Sequence, residues 1–428
     1  MPDDKFLNRQ SIAWAVYDCG NSGFALSVLA VLFPLFLGVY WSAGDPGAAV
    51  TSRLTWATAV ASVVVCIIAP VIGAIADSGG IRKKMLFAFA AFGAASTAGL
   101  SVVGEGGWQA ALVLFACASI GYYSANVFYD SLIVDVTTPR YYALVSSLGH
   151  AVGYVGGALL LAAQVWMIST PETFGFEDAN GVIRFGFVLI GIWWLVFITP
   201  LMLLVRESRF AQASTEGTVY AAYRELRNTF LRIRNYRKVY LFLSAYWFYI
   251  GGLFTVIFMA VNFGQRLGFS SQDLVTALLI TNFVGFPATL GYGYIGHYLG
   301  AKKSLYLGLA VYIVIVCWAA FLRDVRQFYI MAIIIGMVQG GVQGMSRSLY
   351  ASLIPVEHSG EFFGFYNMVT KFSHILGPVL VGIVAFMTDE PKYILVVLLP
   401  MFVIGALFLM RVETDDHADP TSVVAKTH

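Results

Sequence analysis

The chain has 428 residues, of which 59% are hydrophobic and 12% are charged, and its formal net charge is only +2. A protein dissolved in water cannot keep that much apolar surface away from the solvent, so soluble enzymes and nucleic-acid-binding proteins are excluded. The four cysteines all lie inside apolar runs and lack metal-ligand spacing. We therefore expect no metal, no cofactor and no disulfide framework.

The apolar residues are concentrated in twelve long runs. A run of about 20 such residues crosses the apolar core of a bilayer, which is roughly 30 Å thick. Backbone groups inside lipid must be hydrogen-bonded within the segment, which requires helices. The sequence predicts an all-α membrane protein with twelve transmembrane helices, at approximately 12–41, 54–76, 85–104, 108–135, 143–168, 184–205, 239–263, 274–297, 303–322, 327–353, 362–387 and 393–410.

The distribution of Lys and Arg predicts the orientation. Of the 26 such residues, eighteen fall in segments on the same side of the membrane as both termini, and six fall in segments on the other side. Cytoplasmic loops carry the excess of positive charge in membrane proteins. We therefore predict an integral protein of a bacterial inner (plasma) membrane with cytoplasmic N- and C-termini.

The longest inner connection divides the spans six and six. We expect a first six-helix half at 1–205, a cytoplasmic linker at 206–238, a second half at 239–411 and a disordered tail at 412–428. Apolar residues recur at helical spacing in 219–238, with arginines between them. This pattern favours an amphipathic helix on anionic lipid, and a flexible linker is the alternative.

An internal repeat links the two halves. The inner loop at 73–83 has the pattern G-x-x-x-D-x-x-G-x-R-K, and the loop at 293–303 repeats its glycines and paired cations at an offset of 220. Two parallel six-span halves with a central site are typical of alternating-access carriers. The pattern resembles the signature loop of the major facilitator superfamily. The resemblance implies a major facilitator fold in which Asp77 and Arg82 latch the closed cytoplasmic side.

Three further stretches are more specific: W-A-V-Y-D-C-G-N-S-G-F at 14–24, the glycine-rich run at 146–157, and the segment from 341 to 378 with its E-F-F-G-F-Y motif. Together they resemble the vacuole effluxer family, the autophagy-related permeases and their bacterial relatives. Cys19-Gly20 stands where that family usually has Trp-Ala. The association of the fungal relatives with amino-acid export implies a small zwitterionic or amphipathic substrate.

Polar residues inside the spans identify a candidate gate, because each must have a partner or a function to offset its cost in lipid. Asp130 in span 4 and Arg347 in span 10 lie at similar depths in equivalent helices of the two halves. We predict that they form an inner gate. A static pair within one half, or Asp18 as the partner of Arg347, is the alternative.

Span 11 carries Lys371 near the middle of the membrane. A cation at this depth indicates binding of an anionic group such as a carboxylate. The alternatives are an ion pair with Asp18 and a side chain that snorkels along the cavity. Proton coupling through His150, His374 or Asp18 is possible by chemistry, and the sequence leaves the driving ion open.

The sequence thus predicts a monomeric secondary active transporter, not an enzyme, that moves a small solute such as an amino acid or another carboxylate-bearing metabolite. A proton-coupled drug or metabolite exporter is the first alternative, and a transport-inactive receptor or scaffold is the second. The predicted substrate-binding residues are Tyr17, Asn21, Asn126, Gln339, Gln343, Asn367, Lys371 and His374. The predicted gating or coupling residues are Asp18, Asp77, Arg82, Asp130, His150 and Arg347.

Overall fold

The computed structural model describes residues 5–208, 236–387 and 395–414, and these residues form helices joined by short connections. Most of the predicted linker and its amphipathic helix, and nearly all of the tail, lie outside the described residues. The helices are α1 Arg9–Trp41, α2 Gly47–Gly79, α3 Arg82–Gly99, α4 Trp108–Ser131, α5 Tyr142–Ser169, α6 Ala179–Leu204, α7 Arg237–Arg266, α8 Ser271–Leu299, α9 Ala301–Ala319, α10 Val325–Leu353, α11 Ser359–Met387 and α12 Leu399–Met410.

Helices occupy all twelve predicted positions, and the all-α membrane fold is confirmed. Within the described ranges, ten helices are long and apolar enough to cross a membrane. α11 and α12 are not among these ten, and α12 has only 12 described helical residues. The full count of twelve spans therefore stays a prediction.

Helix contacts repeat between the two halves. In the first half, α1 packs on α5 and α6, α4 packs on α2 and α3, and α3 also packs on α6. In the second half, α7 packs on α11 and α12, α10 packs on α8 and α9, and α9 also packs on α12. Adding six to each helix number converts the first set into the second. The halves are therefore structural repeats, as the sequence offset of 220 predicts.

Each of the repeated loops ends a helix at a glycine with a positive φ. Gly80 follows α2 with a φ of 57°, and Gly300 follows α8 with a φ of 87°. A positive φ is unfavourable for residues with a Cβ, so both positions require glycine. These turns lie at the end of the bundle where α6 ends and α7 begins, which we call the linker end.

The two halves meet most extensively along two helix pairs, α2 with α11 and α5 with α8, and also where α10 packs on α5 and α11 packs on α4. Glycines allow the backbones to approach closely in the first two pairs. A Cβ on Gly73 would lie 2.3 Å from the carbonyl oxygen of Gly360, and one on Gly293 would lie 2.8 Å from the Cβ of Ser147. Both contacts lie in the linker-end parts of these helices. The bundle is therefore closed at the linker end.

Candidate functional site

The first contact between the halves joins α2 to the start of α11. The Asp77 carboxylate accepts hydrogen bonds from the backbone N–H groups of Gly360, at 3.0 Å, and Glu361, at 2.8 Å. The N-terminus of a helix carries partial positive charge and unpaired N–H donors, so it favours a carboxylate. Asp77 therefore fastens the second half to the first at the linker end.

Arg82 holds this contact in place from the start of α3. Its guanidinium is 2% exposed and lies 2.9 Å from Asp135 and 3.3 Å from Glu207. It also lies 3.6 Å from Asp77 and hydrogen-bonds to the Ser359 hydroxyl of the second half. A buried cation surrounded by three carboxylates is well compensated, and breaking such a network is costly. The structure thus brings together the predicted pair Asp77 and Arg82.

A second contact lies deeper in the bundle and joins α10 to α4. One guanidinium nitrogen of Arg347 donates to Asp130 at 3.0 Å, and both side chains are buried. The other oxygen of Asp130 accepts from Asn367 of α11 at 3.1 Å. Asp130 of the first half is therefore bound by two helices of the second half. The alternative of a pair within one half is excluded, because α4 and α10 belong to different halves.

The Arg347 guanidinium is fixed on its remaining sides. It donates to the hydroxyl and to the carbonyl oxygen of Ser146 in α5, each at 2.9 Å. It also lies over the Trp14 ring, 4.7 Å from its centroid, and over the Tyr129 ring at 5.2 Å. Cation–π contacts of this kind strengthen when water is excluded. Arg347 is thus held by three helices of the first half.

A polar cluster lies beside this pair in the first half. Asn21 donates to Asp18 at 3.1 Å and to Asn126 at 2.9 Å. The other oxygen of Asp18 lies 3.8 Å from Nδ1 of His150. Four of the predicted site residues therefore form one connected group across α1, α4 and α5.

Lys371 lies apart from this cluster, about 18 Å along α11 from its first residue at about 1.5 Å per residue. Its side chain is buried, and its ammonium group lies 2.9 Å from the centroid of the Tyr123 ring. Among the residues with assigned positions, no carboxylate lies within the 4.0 Å ion-pair distance of this group. In this conformation Lys371 does not pair with Asp18, and its side chain is buried.

The remaining predicted site residues lie in several places. The Tyr17 hydroxyl accepts from Trp194 at 3.3 Å inside the first half, and the His374 ring packs against Phe254 at 4.5 Å. Gln339 lines an apolar cavity of about 40 Å³ between α7, α8 and α10. Gln343 is half-buried and forms no hydrogen bond to any residue that the structure describes. Gln339 also contacts Tyr154 of α5, whose hydroxyl lies within electrostatic range of Asp18.

Sequence reasoning missed three groups at the site. Asp135 and Glu207 complete the charge network around Arg82, and the Tyr123 ring forms the surface beneath Lys371. Asp135 is the last residue of predicted span 4 and Glu207 lies just beyond predicted span 6, where a carboxylate near the paired cations of the signature loop could have been noticed. No spacing rule indicates the ring, since a cation–π partner on another helix leaves no sequence signal.

Comparison with known families agrees with this geometry. The sequence profile described as "Vacuole effluxer Atg22 like" matches residues 39–139 and 135–419. The chain belongs to this family. This Atg22-like chain is 34% identical over 421 residues to the "Uncharacterized MFS-type transporter YxiO" of Bacillus subtilis, which covers 97% of each chain. It is 22% identical to "Autophagy-related protein 22" of Eremothecium gossypii, over 73% of this chain and 67% of that protein.

Solved structures place the same fold among major facilitator transporters. The proton:xylose symporter XylE superimposes with a TM-score of 0.74 and 14% identity, covering 95% of each chain. The human organic anion transporter MFSD10 superimposes with a TM-score of 0.70 and 16% identity, covering 94% of this chain and 99% of that one. At these identities the likeness concerns the fold alone. The Atg22-like chain is thus an integral membrane transporter of the major facilitator type and not an enzyme.

Proposed function

We propose that this Atg22-like transporter moves a small carboxylate-bearing solute, of which an amino acid is the leading candidate, by alternating access. The observation that carries this proposal is Lys371, a buried cation inside α11 with an aromatic ring and no described carboxylate beside it. An unpaired buried charge is costly in a membrane. A solute carboxylate would supply the missing negative charge.

The closed linker end supports the second part of the proposal. Hydrogen bonds between the halves are formed by Asp77, Arg347 and Asn367. Each of these residues is closer to the linker end of its own helix than Lys371 is to the linker end of α11. A solute at Lys371 would then be screened from the linker side and enter from the opposite side. Opening of the Asp77 and Arg347 contacts would release it at the linker end.

Orientation and surroundings follow from charge. The excess of Lys and Arg on the linker side favours a cytoplasmic linker end in a bacterial plasma membrane. We also propose that the linker at 206–238 divides the two halves, that its segment 219–238 contacts anionic lipid, and that the protein is a monomer. The matching family is described as a vacuole effluxer, and an amino acid as the cargo is part of this proposal.

A counterflow experiment tests the proposal. Proteoliposomes loaded with an unlabelled mixture of protein-forming L-amino acids are diluted into the same mixture, radiolabelled at trace concentration. The wild type should accumulate label, and free amino acids should compete while their carboxamides do not. Lys371→Met should reduce exchange roughly ten- to a hundredfold, because a hydrogen bond to a charged group contributes about 1.5–3 kcal/mol.

Matched variants separate this role from a folding defect. Lys84→Met removes an exposed cation at the start of α3 and should leave exchange unchanged. Lys371→Arg keeps the charge and should retain part of the exchange. Exchange at the wild-type rate by Lys371→Met would contradict the assignment, and no amino-acid exchange by the wild type would favour the exporter or the scaffold.

A further inference from the structure

Asp18 is a buried carboxylate with no permanent cation against it. It is 4% exposed, and its described polar contacts are Asn21 at 3.1 Å and His150 at 3.8 Å. In the part of the chain with assigned positions, no Lys or Arg lies within the 4.0 Å ion-pair distance of Asp18. A carboxylate in such a site needs either a bound proton or a protonated partner. A proton bound by Asp18 or by His150 therefore offsets the buried charge at this site.

Few of the groups that face Asp18 can change charge near neutral pH. Tyrosines and a free cysteine are neutral there, and arginine remains charged. His150 is the exception, and 22% of its side chain is exposed, which gives protons a route to the pair. The titratable and charged groups within electrostatic range of the Asp18 carboxylate are Tyr17 and Cys19 of α1, Tyr122, Tyr129 and Asp130 of α4, His150 and Tyr154 of α5, and Arg347 of α10.

A glycine ridge on α5 brings the gate and this pair together. A Cβ on Gly149 would lie 3.3 Å from a guanidinium nitrogen of Arg347, and a Cβ on Gly153 would lie 2.9 Å from Asp18 Oδ2. Residues four apart on a helix have Cβ atoms about 5–6 Å apart. Arg347 of the second half therefore faces both Asp18 and Asp130 of the first half.

We propose that Asp18 and His150 form a proton-coupling site that controls the linker-end gate through Arg347. An ionised Asp18 attracts Arg347 across the interface and adds to the attraction by Asp130. Proton uptake by Asp18 removes that attraction, and a further proton on His150 repels Arg347. Both events favour separation of the halves, so a proton taken from water on the opposite side would be released at the linker end.

This inference rests on the proposed transport function, but its test needs no substrate. Spin labels replace Ser78 of α2 and Tyr298 of α8, two exposed linker-end positions in different halves. The background lacks the four native cysteines, and His297→Gln and His358→Gln remove the other described linker-end histidines. With Asp18 and His150 unchanged, the population ratio of molecules with an open linker end to molecules with a closed one should rise about tenfold when the pH is lowered from about 9 to about 5. A tenfold change corresponds to about one pKa unit of coupling.

Substitutions at the site give distinct outcomes. Asp18→Asn mimics the protonated carboxyl, so at high pH the linker end should be more open than in the parent, and it should change less than about twofold across the range. Asp18→Glu should keep a pH response with a shifted midpoint, which shows that the position still folds and titrates. Glu172→Gln, an exposed carboxylate between α5 and α6, should behave as the parent.

Two results would overturn the inference: a parent protein whose distance distribution ignores pH, or Asp18→Asn with the parent's full pH response. Neither result bears on Lys371, because the distance measurement contains no solute. Conversely, loss of amino-acid counterflow alone would leave this pH response intact. The two proposals therefore fail separately.

Discussion

Arg347→Gln should open the linker end and reduce the thermal stability of the closed protein. The substitution leaves the Asp130 carboxylate buried with Asn367 alone, and it removes two hydrogen bonds to Ser146. Removing one partner of a buried ion pair typically costs about 3–5 kcal/mol. The label distance between positions 78 and 298 should lengthen, and the unfolding temperature in detergent should fall by several degrees.

A double substitution provides the control. Arg347→Gln with Asp130→Asn removes both charges, so it should recover much of the lost stability, because no buried charge is left unpaired. Arg347→Lys should not rescue the closed state, since a lysine cannot reproduce the planar set of donors or the stacking on Trp14. If Arg347→Gln melts and opens like the parent, the pair does not form the gate.

Gly73→Ala should have the second-largest effect, again on the closed state. The added Cβ would lie 2.3 Å from the Gly360 carbonyl oxygen and 2.7 Å from its carbonyl carbon. The obstacle is backbone, so no side-chain rotation relieves it, and the start of α11 must move away from α2. Overpacking typically costs about 1–3 kcal/mol, and here it applies only while the linker end is closed.

The ratio of open to closed molecules should therefore be roughly fivefold to more than a hundredfold higher in Gly73→Ala than in the parent. This range is the overpacking free energy of about 1–3 kcal/mol expressed as a population ratio. A membrane-impermeant maleimide should label a cysteine placed at the buried position 359 faster than in the parent. Gly291→Ala is the matched control, since its Cβ meets no atom within 4 Å. Equal labelling of Gly73→Ala and Gly291→Ala would mean that the α2–α11 contact does not define the closed state.

The sequence predicted the halves and the central ion pair because both leave periodic signals. The 220-residue offset relates Gly80 to Gly300, and the structure has a positive φ at both. Asp130 and Arg347 occupy similar depths in equivalent helices, so a two-fold arrangement brings them together. Depth and pseudo-symmetry together were sufficient to predict this contact.

Other contacts depend on features without a sequence period. Arg82 is surrounded by Asp135 and Glu207, whose positions are set where helices end. In α1 the helical turns widen to π-helix at Ala25–Leu32 and again at Leu37–Trp41, which displaces later side chains from the 3.6-residue pattern. Side chains on such turns, and rings such as Tyr123 on neighbouring helices, can be located only once the helices are packed.

The proposed transport route leads through the linker end, which is closed in this structure. Arg140 of the first half and His297 of the second meet there, where Nδ1 of His297 lies 3.1 Å from the Arg140 carbonyl oxygen. Cysteines at both positions, in a background without the native cysteines, can be joined by a cleavable bifunctional maleimide. Lys302→Cys with Met410→Cys gives a cross-link within the second half as the control, because the Lys302 ammonium lies 3.3 Å from the Met410 carbonyl oxygen.

Counterflow of the labelled amino-acid mixture is then measured before cross-linking, after it and after cleavage. Joining positions 140 and 297 should stop exchange, cleavage should restore it, and the control cross-link should leave it unchanged. Exchange that continues at the uncross-linked rate while positions 140 and 297 are joined would contradict alternating access through this end.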